Sequence, residues 1–113
     1  MLTPVVNSKL VAKILIGQTE SEEIKLGGKV LIGISIPVAF DTADLTVKNA
    51  VQDSENYQTV KNTDGSSFTM NATADGFINI PVGELVSLDN IKIVSSVAQT
   101  AERELTLIAR PIL

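Results

Sequence analysis

Short apolar runs alternate with clusters of Gly, Asn, Asp, Ser and Thr at spacings near ten residues, and no stretch sustains a helical period. That rhythm predicts strands joined by tight turns, arranged as a sandwich or barrel rather than as βαβ units. "KLVAKILI" (9–16) puts Leu10, Ala12, Ile14 and Ile16 on one face. "EEIKL" leads into Gly27-Gly28, a strong hairpin signal. "KVLIGISIPVAF" (29–40) is the most apolar stretch, with Val30, Ile32, Ile34 and Ile36 on one face and Leu31, Gly33 and Ser35 on the other. Pro37 cannot donate to a ladder, so the strand is expected to end there or to reach a sheet edge. Residues 40–70 read as a meander of three short strands, "LTVKNAV" (45–51), "YQTVK" (57–61) and one opening on "FTM". In this stretch Leu45, Val47 and Val51 point inward and Asp64-Gly65 forms a type I′ turn. "FINIPVG" (77–83) aligns Ile78, Ile80 and Val82, "IKIVSSV" (91–97) turns Ile91 and Ile93 inward, and "ELTLIARPIL" (104–113) does so with Leu105, Leu107 and Ala109. "ELVSLDN" fits either a short helical turn or a loop.

The 113 residues suit one domain, divided here into an N-terminal arm (1–8) and a single β domain (9–113). Aromatic residues are only 4% of the chain, so Ile, Leu and Val must build the core, and the β-branched pair favours strands. The net charge of −4 and the scattering of nine basic residues argue against nucleic acid, whose phosphates call for clustered Lys and Arg. No run approaches the roughly 18 apolar residues of a membrane span, and no polybasic patch invites anionic lipid. "MLTPVVNSKL" lacks the charged and apolar regions of a signal peptide, so secretion by that route is not expected.

Chemistry finds little purchase. There is no Cys and no His, which removes thiolate chemistry, the commonest general base and the commonest ligand for zinc and copper. Carboxylate pairs that glycoside hydrolysis would need are offered by Asp41 with Asp44, Asp53 with Glu55, and Glu102 with Glu104, alongside Asp64 and Asp75. Each sits among turn formers, where Asp serves by bonding nearby backbone. "DSEN" and "NTDG" are oxygen-rich but lack the spacing of a calcium loop, and the glycines of "LGGKVLIG" match no phosphate-binding pattern. The reading is therefore of a protein that is not an enzyme and holds no cofactor or metal.

What remains is surface. "ISIPVAF" (34–40) and "ARPIL" (109–113) are unusually apolar for strand ends, and an exposed apolar patch marks an interface. The candidate interface residues are Leu2, Val5 and Val6 of the arm, Pro37 and Phe40, and Pro111, Ile112 and Leu113.

The order of segments from "GQTESEEIKLGGKVLIGISIPVAFDTADLTVKNAVQDSENYQTV" to "LDNIKIVSSVAQTAERELTLIARPIL", about residues 17 to 111, resembles a family of small phage virion structural proteins with β-sandwich folds. The likeness rests on Gly27-Gly28 before an apolar strand ending near Pro37, and on Tyr57, Val60 and Asp64-Gly65. It also rests on a last strand that closes on Arg110-Pro111. Family members typically place Trp in the turn region where this chain has Phe40. The chain is also similar to the wider jelly-roll sandwiches of carbohydrate-binding and discoidin-like modules. The resemblance implies an antiparallel, jelly-roll-like β-sandwich of about eight strands and a role in the virion as a capsid decoration, head-fibre or neck component. It implies a homo-oligomer, with a trimer suiting a capsid three-fold position, and attachment to the major capsid or another virion protein. It carries no functional residue across. The alternative is a carbohydrate- or receptor-binding module, with Tyr57, Asn and Asp side chains on a concave face or loop cluster.

Overall fold

The computed structural model describes residues 6–111 as an all-β chain of nine strands: β1 (Ser8–Ile14), β2 (Ile24–Lys25), β3 (Lys29–Ser35), β4 (Ala43–Ala50), β5 (Gln58–Thr59), β6 (Thr69–Ala72), β7 (Phe77–Asn79), β8 (Asn90–Ser95) and β9 (Arg103–Pro111). One antiparallel sheet runs β1-β9-β3-β7 and the other β2-β8-β4-β5, with β6 also paired to β4. The pairing is nested. The first strand meets the last, the second meets the eighth, the third meets the seventh, and the fourth meets the fifth and sixth. A chain folded into one long hairpin and then rolled over gives this order, which is that of a jelly roll.

Period-two alternation turns one face of each sheet inward. Ala12 and Ile14 of β1, Leu105 and Leu107 of β9, Leu45 and Val47 of β4, and Ile91 and Ile93 of β8 are fully buried in one shared cluster. Side chains of this kind each contribute roughly 1.5–3 kcal/mol on leaving water. Ile16 lies beyond the end of β1 and is exposed.

The strict alternation expected for 29–40 breaks at Ile32. There a bulge shifts the β3–β9 register, so that Leu31 faces Ala109 and Gly33 faces Ile108. Leu31 and Ile34 consequently both point into the core, while Val30, opposite Arg110, is buried but lies outside the core cluster. An extra residue in one strand has this effect on every side chain beyond it.

Three turn expectations also change. Gly27 and Gly28 both have positive φ, and Lys29 N–H donates to Leu26 O, as in a type I′ turn. Yet β2 and β3 belong to different sheets, so the turn carries the chain across the sandwich instead of closing a hairpin. Asp64 does not have the positive φ that a type I′ turn requires. Its carboxylate accepts from Ser66 N–H and Oγ–H, and Gly65 alone takes the left-handed position. Residues 40–70 form a meander only in part: Val60 to Asn62 do meet Ser66 to Phe68 across the Asp64-Gly65 turn, but β6 then leaves that neighbour and pairs with β4, as β5 does at another point along it. Val51, expected inside, lies just past the end of β4 and is 55% exposed, and Val82, past β7, is 61% exposed.

Candidate functional site

The outer face of the four-stranded sheet carries three apolar side chains, Val11, Ile108 and Phe77, among polar and charged ones. Register sets Val11, Thr106, Ser35 and Phe77 side by side across four strands, with Lys9, Ile108, Gly33 and Asn79 in the next row. Val11 and Phe77 are 55% and 61% exposed, and Ile108 is partly buried. Phe77 reaches diagonally over Gly33. A Cβ built on that glycine would stand 2.7 Å from the ring's Cζ, so the glycine leaves the space in which the ring lies. An exposed aromatic held in place by its neighbour is suited to contact with another molecule. Lys9 and Lys13 of β1 flank Val11.

The opposite sheet has a polar outer face. Lys48 and Lys92 sit directly opposite one another on β4 and β8, an arrangement that by itself repels. Glu20 relieves it, pairing with Lys48 and approaching Lys92 at 4.0 Å, and its carboxyl is held below the ordinary range chiefly by the hydrogen bond from Lys48. The Lys92 ammonium also lies 4.6 Å from the centre of the Tyr57 ring. Loss of solvent, and next the hydrogen bond with Glu23, push the Tyr57 hydroxyl up to about 12.

A third polar group ties together the loops at one end. Gln99 is 1% exposed. Its Oε1 accepts from Asp41 N–H at 2.9 Å, and its Nε2 donates to Asp41 O and Ser95 Oγ, both at 3.2 Å. The Asp41 carboxylate in turn accepts from Thr100 N–H and Oγ–H at 2.7 and 2.9 Å, with Arg103 at 3.5 Å, and these donors hold it below its ordinary value, the Thr100 N–H most of all. Every donor aimed at Asp41 comes from the β8–β9 connection or the start of β9. The carboxylate therefore fixes the loop between β3 and β4, and Asp64 plays the same part within its own turn.

Two concavities among the described residues have mixed polar and apolar linings. A cleft of about 350 Å³ is bounded by Lys25, Gly27, Gly28, Gln52, Asp89 and Asn90, and Val60 and Phe68 share a smaller one with Lys61, Asn62, Gly83 and Glu84. Among the described residues no group of three or more acidic side chains gathers to hold a metal ion, and no helix is long and apolar enough to cross a membrane.

Comparison of the chain with family models, curated proteins and solved structures finds no match.

Of the interface residues named from sequence, Leu2, Val5, Ile112 and Leu113 lie outside the described residues. Val6 is 66% exposed, Pro37 is partly buried, and Pro111 is exposed at the end of β9. Phe40 is 3% exposed and belongs to the core cluster, so it offers no surface: an aromatic just after a strand has filled the interior instead of marking an edge. Sequence reasoning missed Phe77. Its alternation with Ile78 and Ile80 already placed it on the outward side of β7, but the neighbouring Gly33 comes from a strand more than forty positions away and gave no local sign.

Proposed function

We propose that this chain is a non-enzymatic structural protein, a building block that works by covering its surface with copies of itself and with a larger particle. The resemblance to small phage virion proteins makes that particle a phage head, decorated or extended by this domain. The observation that carries the reading is the outer face of the four-stranded sheet, where Val11, Ile108 and Phe77 leave apolar area in water. Capsid domains share the jelly-roll order, which is compatible with the reading without selecting it. Repeated sites on a shell would add avidity to a modest single contact.

Sedimentation velocity of the pure protein should reveal self-association, and the protein should pellet with empty phage heads. Phe77→Asp, with the fold verified by circular dichroism, should abolish both. A wild-type protein that stays monomeric and ignores the heads overturns the proposal.

The cleft beside Asn90, with Lys25, Gln52 and Asp89 on its walls, favours a second reading, a carbohydrate-binding module, since lectin domains share the same strand order. Tyr57 does not line that cleft, and no other aromatic does. Glycan binding that Asn90→Ala removes and Phe77→Asp spares would select this reading over the first.

A further inference from the structure

Each sheet ends in two edges, and three of the four edges are short. β2 and β5 have two residues each, β6 has four and β7 has three. Short edges resist the addition of a further strand. β1 is the exception, with seven residues in unbroken register against β9.

Backbone groups in an antiparallel strand point alternately to its two sides. Lys13 O accepts from Glu22 N–H at 3.0 Å, on the side away from β9. Lys9, Val11 and Lys13 therefore turn their N–H and C=O groups outward, while Ser8, Leu10, Ala12 and Ile14 turn theirs to β9. The far side of the sheet gives the same parity. Ile36 N–H donates to Gly76 O, and Ile80 N–H donates to Ile32 O, so the even residues of β3 bond toward β7. Gly33 and Ser35 then bond Ile108 and Thr106, which leaves Leu105, Leu107 and Ala109 for Ala12, Leu10 and Ser8.

The chain thus covers only the Lys13 end of its own longest edge, and it does so with Glu22 of the acidic run Glu20 to Glu23. Among the described residues, no backbone group bonds the outward N–H and C=O groups of Lys9 and Val11. Charge says what suits that stretch. The strands of this sheet carry Lys9, Lys13, Lys29, Arg103 and Arg110 against Glu104 alone, a net charge of +4, while the rest of the chain carries the other four bases and twelve acids, or −8.

We propose that the edge at Lys9 and Val11 takes up an extended segment of another protein whose alternate residues are Asp or Glu, adding a fifth strand to this sheet. Acidic side chains on the outer side face Lys9 and Lys13, and apolar ones on the inner side extend the core beside the partly buried Leu10. A second copy of β1 is the poorer occupant, since it brings Lys9 close to its own counterpart and sets two basic sheets together. The inference does not depend on the apolar outer face, and Phe77→Asp leaves this edge intact.

The probe is a labelled, end-blocked peptide of alternating Glu and Val, titrated into the full chain and read by fluorescence anisotropy. It should bind, and more weakly as salt rises. A Lys–Val peptide of equal length should bind at least about tenfold more weakly. Val11→Pro removes an N–H that no described residue uses, on an edge where proline is tolerated, so the melting temperature should move little while peptide affinity falls about tenfold or more. Should Val11→Pro fail to fold, Lys9→Glu keeps every backbone group and should reverse the preference between the two peptides. Undetectable binding of the acidic peptide, equal binding by folded Val11→Pro, or an unaltered preference in Lys9→Glu overturns the proposal. So does a wild-type dimer that Val11→Pro renders monomeric and Phe77→Asp does not, since that result gives the edge to a second copy.

Discussion

Gln99 shows how much one buried polar side chain decides. Its amide replaces water for both backbone groups of Asp41 and reaches Ser95 and Val97 as well, so that four hydrogen bonds to three residues, in the β3–β4 loop and at the end of β8, depend on it. Gln99→Leu keeps the volume and removes every partner. A buried group left without its hydrogen bond costs roughly 1–3 kcal/mol, so the variant should lose about 2 kcal/mol or more in urea unfolding. A loss below about 0.5 kcal/mol would mean that water takes over the role. Asp41→Asn should cost less, because an amide oxygen still accepts from Thr100 N–H and only the charge is lost.

At the scale of the strands, Phe77 and Gly33 form one unit across β7 and β3. Phe77→Ala should cost up to about 1 kcal/mol despite the ring's exposure, the range of cross-strand aromatic pairs. Gly33→Ala adds a Cβ that the ring must avoid, and the exposed ring is free to swing aside, so its effect should be of similar size or smaller. Measured together, the two changes should fall short of their sum, and strict additivity would show that the ring does not lie on the glycine. The same pair marks the limit of what was legible in the sequence. Alternation in 91–97 and 104–113 named the inward residues of β8 and β9 correctly, because burial on one face writes a period of two into any regular strand. It failed in β3, where the bulge at Ile32 reverses the phase; the adjacent Gly33 is the one local sign of it, and it reads equally as a packing residue. Turn dipeptides located the turns, but a Gly-Gly that crosses between sheets is spelled like one that closes a hairpin. The apolar outer face and the open edge of β1 depend on which strands become neighbours, and residues 9–14 do not encode that they will border a sheet.

The whole molecule is unusual in what it lacks between acid and alkali. With no His and no Cys, no side chain has an ordinary pKa between about 5 and 9. The groups whose ionisation the fold does shift lie beyond those limits. Asp41, Asp64 and Glu20 are all held low, by Thr100, Ser66 and Lys48 respectively. The folded state therefore prefers them charged. Their stabilisation is complete above the ordinary carboxylate values of 3.8 and 4.5 and is lost as pH falls through the lower folded ones. Tyr57 behaves oppositely. Raised from 10.0 to about 12, it is preferred neutral in the fold, so its contribution is complete below 10 and fades as pH climbs toward 12. Urea midpoints should accordingly be level from about pH 5 to about pH 9 and fall on both sides. Tyr57→Phe should shallow the alkaline fall and leave the acid one unchanged. Because Tyr57 is the only tyrosine and the chain has no tryptophan, tyrosinate absorbance reads this one group directly, and its midpoint should stand near 12 in the folded protein. A midpoint at 10 would place the hydroxyl in open water and dissolve the cluster with Lys92 and Glu23. A slope in stability around neutrality would require a proton-binding group that none of these side chains provides.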